Sequence, residues 1–291
     1  MTVLEDIAPP SSSNDGPISV VLDRQRFARF AELITETLGI KMPAGKVTLL
    51  ENRLRGRMRQ LGMTTLDAYE EYLFRSPQAA GELVHFCDVV TTNKTDFFRE
   101  PQHFAFLRDH ALPSVVSERA GAELRIWCAG CSSGQEAYTL AMVTSEFAEQ
   151  HERRFSILAT DISTRMLAQA RKAIYPESII EPIPLDLRKK YLLRSKDRRK
   201  ALVRIRPELR RAVSFERLNF MDRDYRRRGF YDAIFFRNVM IYFDKATQEA
   251  VVNRLAQSLA PGGYLFIGLS ESLVGARVPL ATAGPAILRK M

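Results

Sequence analysis

The stretch that most constrains this chain covers residues 124–136, Leu-Arg-Ile-Trp-Cys-Ala-Gly-Cys-Ser-Ser-Gly-Gln-Glu. A short apolar run from Leu124 to Trp127 reads as a buried strand, and the small residues from Ala129 to Gly134 turn the chain. Ala137, Leu140, Ala141 and Val143 then recur at helical spacing. Strand, tight small-residue loop and helix is an arrangement that holds nucleotide-like cofactors. Small side chains let main-chain N–H groups approach the ligand, and the helix N-terminus adds partial positive charge. Residues 155–160 read as a second strand with Asp161 at its end. An acid there, roughly twenty-odd residues past the loop, is placed to accept hydrogen bonds from ribose hydroxyls.

Other chemistries share these residues. Gly130, Ser132 and Gly134 match a nucleophile elbow, but that fold needs a histidine late in the chain, after its acid. The only histidine beyond Ser132 is His151, ahead of every strong downstream Asp. Cys128 and Cys131 form a Cys-x-x-Cys pair of the thioredoxin type, here followed by a long α/β continuation with its own acidic strand end. Zinc is weaker still, because Cys87 is the one remaining cysteine and no His pair sits at ligand spacing. A tight turn with no ligand is the plain structural alternative.

The 291 residues allow one large domain or two ordinary ones, and 46% hydrophobic residues supply a core. No apolar run approaches bilayer-spanning length, so no membrane insertion is expected. Three cysteines without a framework, and an N-terminus without a signal pattern, suit a reducing cytoplasm. The net charge of +9 favours an acidic partner, whether nucleic acid, an anionic membrane face or an acidic protein.

In chain order, residues 1–17 read as a disordered tail and 18–90 as a small helical domain. Phe27, Phe30, Ala31, Ile34 and Leu38 share one helical face, with Gly39 as a stop. A second helix over 43–61 carries the stripe Val47, Leu50, Leu54, Met58 and Leu61. Lys46, Arg53, Arg55, Arg57 and Arg59 flank it, either as a solvated basic face or as a docking surface for an acidic helix. Two further helices place Leu66, Tyr69, Tyr72 and Leu73, then Leu83, Phe86, Cys87 and Val90, inward. Residues 91–120 form a linker: a polar-aromatic-basic segment placed to fold over a cofactor, then a helix over 104–116. Residues 121–291 alternate strands and helices, which implies a doubly wound, mostly parallel sheet. Residues 175–212 interrupt that rhythm and read as an inserted hairpin or ribbon. Pro261, Gly262 and Gly263 read as a turn into a strand at 264–268, and 286–290 as the last strand. Ligands in such sheets bind beyond the strand C-termini. Gly130, Gly134, Asp161, Asn219, Arg237 and Asn238 all follow strand ends and are expected to meet in one crevice.

The order of these features resembles an S-adenosylmethionine-dependent methyltransferase. The segments 91–99 (Thr-Thr-Asn-Lys-Thr-Asp-Phe-Phe-Arg), 127–136, 159–161 (Ala-Thr-Asp) and 236–244 (Phe-Arg-Asn-Val-Met-Ile-Tyr-Phe-Asp) resemble, more specifically, the CheR family of chemoreceptor glutamate methyltransferases. The match runs from about Phe27 to the C-terminus. The resemblance implies a helical N-terminal domain, an α/β catalytic domain with an inserted β-subdomain, S-adenosylmethionine as cofactor and S-adenosylhomocysteine as product. It further implies that Asn93, Thr95, Arg99, Glu136, Asp161, Asn219, Phe220, Arg237 and Asn238 line the cofactor site.

Methyl transfer to a glutamate carboxylate needs no general base, since the nucleophile is already ionised at neutral pH. Tyr242 is placed to orient the attacking oxygen. Arg99 fits the cofactor carboxylate better than the substrate, because a cation gripping the nucleophile stabilises the ground state. The implied partners are chemoreceptor cytoplasmic helices, met through the basic helix. Two departures stand out. Leu269 replaces the histidine usual in Gly-His-Ser-Glu, and residues 195–200 lack the glycine of members that bind a receptor C-terminal peptide, which argues against such binding. A nucleic-acid methyltransferase and a non-catalytic cofactor-binding signalling protein are the alternatives. Against the first, neither an Asn/Asp-Pro-Pro-aromatic motif nor a Pro-Cys nucleophile is present.

Overall fold

A computed structural model describes residues 20–119, 121–225 and 229–291. The tail expected over 1–17 lies outside them. The chain divides into two compact units between Thr91 and Thr92.

Among its described residues the first unit has the α-helices α1 (Arg24–Leu38), α2 (Val47–Leu61), α3 (Leu66–Arg75) and α4 (Ala79–Val90). Their ends follow local chemistry. Asp23 and Thr65 cap α1 and α3 by accepting from Arg26 N and Ala68 N, while Gly39 and Gly62 close α1 and α2 in the left-handed conformation. Phe30, Ile34, Leu50, Leu54, Met58, Tyr69 and Phe86 build the core. The apolar stripes of the sequence face it, but Ala31, Val47, Leu61, Tyr72 and Leu83 are only half-buried.

One expectation is corrected here. Arg57 is not displayed for docking. Its Nε and Nη2 donate to the two oxygens of buried Glu82 at 3.0 and 2.6 Å, and Tyr69 OH adds a third bond to Glu82 at 2.9 Å. A buried carboxylate needs a partner, and α2 supplies it. Arg53 also turns inward, donating to the Val90 carbonyl at the end of α4.

The second unit begins with α5 (Pro101–Phe106), which continues through a π-turn (Leu107–Ala111) into α6 (Leu112–Glu118). Its sheet has the order β6-β2-β1-β7-β8-β10-β9. The strands are β1 (Leu124–Ala129), β2 (Phe155–Asp161), β6 (Val213–Arg217), β7 (Tyr231–Phe236), β8 (Leu259–Ile267), β9 (Leu280–Gly284) and β10 (Ile287–Lys290). The first five run parallel, and β10 and β9 close the far edge antiparallel. Every residue of β7 is buried, as a strand covered on both faces requires. The crossover helices are α7 (Gln135–Gln150), α8 (Thr164–Lys172) and α11 (Lys245–Ser258, capped by Asp244).

The insertion is richer than a hairpin. A three-stranded antiparallel sheet joins β3 (Ile174–Pro176), β5 (Leu202–Ile205) and β4 (Leu192–Arg194) in that order, flanked by α9 (Leu185–Tyr191) and α10 (Pro207–Ala212). The turn expected at Pro261–Gly263 is instead a bulge within β8, where five residues pass while β7 advances two. A Cβ on Gly263 would sit 2.9–3.1 Å from the carbonyl oxygens of Ala260, Asp232 and Tyr231. Strand β9 carries no apolar alternation and went unread in the sequence.

Candidate active site

The crevice is built at the C-terminal ends of β1, β2, β6, β7 and β8. The loop after β1 is pinned to β2, since Gly130 N and Cys131 N both donate to Thr160 O at 2.8 and 2.9 Å. Gly130 (φ 94°) and Gly134 (φ 96°) have no alternative residue. A Cβ on Gly130 would meet Val239 Cγ2 at 2.7 Å, and one on Gly134 would meet both Ala170 Cβ and Tyr175 OH at 2.9 Å. Between them, Ser132 donates its N–H to Asp161 Oδ2 (2.8 Å) and its hydroxyl to Asn93 O (2.8 Å). Asp161 Oδ1 also accepts from Ser163 N at 2.9 Å. Both carboxylate oxygens of Asp161 thus shape the loop, a role beyond the ribose contact expected of it.

A second network lies beside the first. The guanidinium of Arg237, fully buried after β7, stands 3.1 Å from Glu136 Oε2 and 3.2 Å from Glu100 Oε2, and donates to the Arg99 carbonyl. Asn238 donates its side-chain N–H to Glu100 Oε1 (3.3 Å) and its main-chain N–H to Glu271 Oε2 (3.0 Å). Glu271, buried after β8, also accepts from Gly268 N (2.6 Å) and Ile241 N (3.3 Å). Leu269 N donates to Glu100 Oε2 at 3.2 Å. Burial raises the carboxyl pKa of Glu136 against the pull of Arg237, and raises that of Glu271 against the N–H groups facing it. The same Arg237, with Asn238 and the Leu269 N–H, holds Glu100 below the usual carboxylate range despite desolvation.

Backbone strain concentrates here. Among the described residues, eight non-glycine positions have positive φ, and four belong to these networks or their segment: Phe98, Glu100, Ser132 and Asn238.

The residues singled out in the sequence therefore separate into groups. Asn93, Glu136, Asp161, Arg237 and Asn238 are tied into the two networks. Arg237 is a positioning cation behind the crevice rather than an open ligand group, because its side chain is wholly buried. Asn219 turns the chain just after β6, accepting from Met221 N at 3.0 Å, and Leu218 N donates to Asp161 O. Phe220 is 8% exposed and packs its ring against Phe236 at 4.9 Å, so it forms wall rather than open contact surface. Thr95, Arg99 and Tyr242 are half-exposed, and among the described residues no hydrogen bond or ion pair holds the Arg99 guanidinium or the Tyr242 hydroxyl. Leu269 is 43% exposed at the rim.

Sequence reasoning missed Glu100, His103 and Glu271 as site builders. His103 is wholly buried, its Nδ1 3.5 Å from Glu100 Oε2, and burial together with Arg237 pushes its pKa down to about 4. Glu100 left a local trace as an acid directly before the helix-starting Pro101, and Glu271 as the acid of the Gly-Leu-Ser-Glu segment after the late strand.

The redox reading fails on burial. Cys128 and Cys131 are free and fully buried, and desolvation pushes both thiols well up, away from the thiolate form. A cleft of about 760 Å³ lined by Arg125, Ser156, Glu216, Asp222 and Tyr231 includes no residue of this loop.

An adenosyl cofactor fits what is present. Asp161 offers an acid at the β2 end, the strained loop offers main-chain groups, and Arg99 offers an unpaired guanidinium for a carboxylate. Fold and site together define an S-adenosylmethionine-dependent methyltransferase. Comparison narrows this. The family described as "CheR methyltransferase, SAM binding domain" matches residues 93–284, and "CheR methyltransferase, all-alpha domain" matches 25–91. The chemotaxis protein methyltransferase of Borreliella burgdorferi is 35% identical over 270 residues, covering 91% of this chain and 94% of the relative. That of Escherichia coli is 38% identical over 253 residues, covering 87% and 86%. Chemotaxis protein methyltransferase 2 of Pseudomonas aeruginosa is 36% identical, covering 91% and 92%. The chain belongs to the CheR methyltransferase family, and its cofactor is S-adenosylmethionine.

Proposed function

We propose that this chain methylates the side-chain carboxylate of glutamates in chemoreceptor cytoplasmic helices, forming glutamate methyl esters for chemotactic adaptation. One observation carries the reading. Every acid of the crevice, Glu100, Glu136, Asp161 and Glu271, is already engaged by arginine or by main-chain N–H groups. The nearest histidine, His103, is sealed from solvent. The site thus offers no poised general base, and an acceptor that arrives ionised needs none.

When bound, the cofactor supplies an electrophilic methyl group on a sulfonium sulfur. The chain's own groups do the rest. Asp161 and the loop from Gly130 to Gly134 bind the adenosyl end, with Asn219 beside them. Arg99 takes the cofactor carboxylate, and Asn93 and Thr95 line the same segment. Residues 93–100 act as the lid, held closed by the bonds from Arg237 to Arg99 O and Glu100. Tyr242 orients the acceptor carboxylate. Charge is lost as the ester forms, so exclusion of water by the lid favours the reaction, and alignment supplies much of the remaining rate. On the helical unit, Arg55 and Arg59 are the arginines of α2 left to meet Glu-rich receptor helices. The protein works in the cytoplasm, and receptor C-terminal peptides are not its ligands, since the loop joining β4 to β5 has no glycine.

The test is transfer of tritiated methyl from the cofactor to purified receptor fragments and to total RNA. Base-labile label on receptor protein supports the reading. Label on RNA, or none on either, overturns it.

A further inference from the structure

A second concave site lies away from the crevice. A cleft of about 450 Å³ between α8, α10 and β6 is lined by Tyr138, Arg171, Arg210, Arg211, Val213 and Phe215. Its lining is strongly basic. Several arginines of this unit close on acids, as Arg237 does on Glu100 and Glu136, Arg119 on Asp232 and Arg289 on Glu118. Among the described residues, none of Arg171, Arg210 and Arg211 makes an ion pair. Arg171 spends one donor on Phe215 O at 2.6 Å. The Arg210 Nε is shut from solvent with no hydrogen-bond partner. Three like charges gathered without a counter-ion repel one another, and a polyanion would relieve that repulsion.

The floor is of another kind. Tyr138 and Val213 are buried beneath the arginines, and the half-buried Phe215 ring stands 5.8 Å from that of Tyr138. We propose that this cleft binds a nucleoside phosphate. Guanidinium forks match phosphate oxygens in pairs, and an aromatic wall takes a flat base. The volume suits a ligand of nucleotide size rather than a macromolecular surface, since small-molecule sites occupy about 300–1,000 Å³. The site is independent of the methyl-transfer reading. It backs onto the cofactor loop through α8, because Tyr138 OH donates to Ala170 O at 3.0 Å and Ala170 packs against Gly134.

The experiment is calorimetry on the full chain saturated with S-adenosylhomocysteine, so that the crevice is closed to competing nucleotides. ATP, pyrophosphate, adenosine and a tetraglutamate peptide are titrated in turn. ATP binds, pyrophosphate binds more weakly and adenosine does not. Arg210→Ala and Arg211→Ala each weaken ATP about tenfold or more, as loss of a charge-assisted hydrogen bond does, while S-adenosylhomocysteine affinity is unchanged. If Arg210→Ala impairs folding, Arg211→Glu at its exposed position carries the test and abolishes ATP binding. The proposal is overturned if ATP gives no heat at millimolar concentration. It is equally overturned if the arginine variants bind ATP like the parent, or if tetraglutamate binds as tightly as ATP, which would make the cleft a generic basic face.

Discussion

Both units of this chain bury an arginine against carboxylate, and the two centres are built differently. In the helical unit, Arg57 meets one acid, Glu82, with two bonds, and Tyr69 fills a further acceptor position. Charge there is matched one to one, on regular helices. In the catalytic unit, Arg237 stands between two acids, and both Glu100 and Asn238 adopt left-handed backbone. The first arrangement can only hold helices together. The second sets two acids against one arginine at the strand C-terminal ends and fixes a strained segment there. Strain and unequal charge, rather than burial of an ion pair as such, distinguish the candidate site.

Removing each cation is the strongest way to break that comparison. Arg57→Ala and Arg237→Ala each strand buried carboxylate and should cost about 3–5 kcal/mol in denaturant unfolding of the unit concerned. Only Arg237→Ala should also abolish S-adenosylhomocysteine binding in the protein that remains folded. Equal loss of binding in Arg57→Ala would erase the distinction.

The next effect comes from His103, behind the same centre. An unfolded histidine titrates near 6.5, whereas this one is held down to about 4, first by burial and then by Arg237, against the pull of Glu100. Between those values the unfolded chain binds the extra proton. Stability is therefore fully present above 6.5 and falls as pH drops toward 4, by about 3 kcal/mol. Burial raises the Glu136 carboxyl while Arg237 helps to hold that of Glu100 down, so the quantity to measure is the difference between parent and His103→Gln in unfolding free energy at pH 7 and 4.5. A difference that does not change with pH would place His103 outside the electrostatics of the site.

Asp161 sharpens the comparison within the catalytic unit. Because its oxygens already accept from Ser132 N and Ser163 N, alanine would disturb the loop as well as the ligand. Asp161→Asn keeps the size and one acceptor oxygen, removes the charge, and turns the other contact into a donor facing a main-chain N–H. It should weaken S-adenosylhomocysteine by about 1–3 kcal/mol. Unaltered affinity in calorimetry would confine Asp161 to holding the loop.

What the sequence discloses follows from how local the cause is. The strand, loop and helix over 124–136 were legible because apolar run, small residues and helical period adjoin, and the glycines proved irreplaceable for packing. The arginine of α2 that holds the fold could not be told from its neighbours, since Arg57 differs from Arg55 and Arg59 only in what lies across from it. The second network was opaque for the same reason. Asn238 meets Glu100 across 138 positions, and the Gly268-Leu-Ser-Glu271 segment does not disclose that its acid accepts from Asn238 N. The thiol alternative could be disfavoured but not closed from the sequence, because spacing reports proximity and says nothing of burial, which here silences Cys128 and Cys131.

Tyr242 offers a smaller effect. It follows the strained Asn238 in a short 3₁₀ turn, and no group of the described protein holds its hydroxyl. Tyr242→Phe should lower the single-turnover rate about tenfold at saturating cofactor, as loss of one orienting hydrogen bond does, and leave cofactor affinity alone. A rate equal to the parent's would remove the hydroxyl from the reaction.

The smallest effect belongs to α2, where the structure has already sorted the arginines. Arg57 is committed to Glu82, and Arg53 donates to Val90 O. Arg59 is exposed, and Arg55 is half-buried, with Asn52 and the Val20 carbonyl as its contacts. If these two meet Glu-rich receptor helices, they act through long-range attraction, which alters encounter more than chemistry. Arg55→Glu with Arg59→Glu should raise KM for receptor roughly two- to fivefold at low salt and leave kcat and cofactor affinity unchanged. The effect should fade as ionic strength shortens the screening length to about 8 Å. The same reversal at Arg53 and Arg57 should instead lower the unfolding midpoint, because it breaks bonds to α4. An unchanged KM in the Arg55/Arg59 variant at low salt would leave α2 a solvated face. Receptor docking would then have to be sought in the basic residues from Arg194 to Arg206 of the inserted β-sheet.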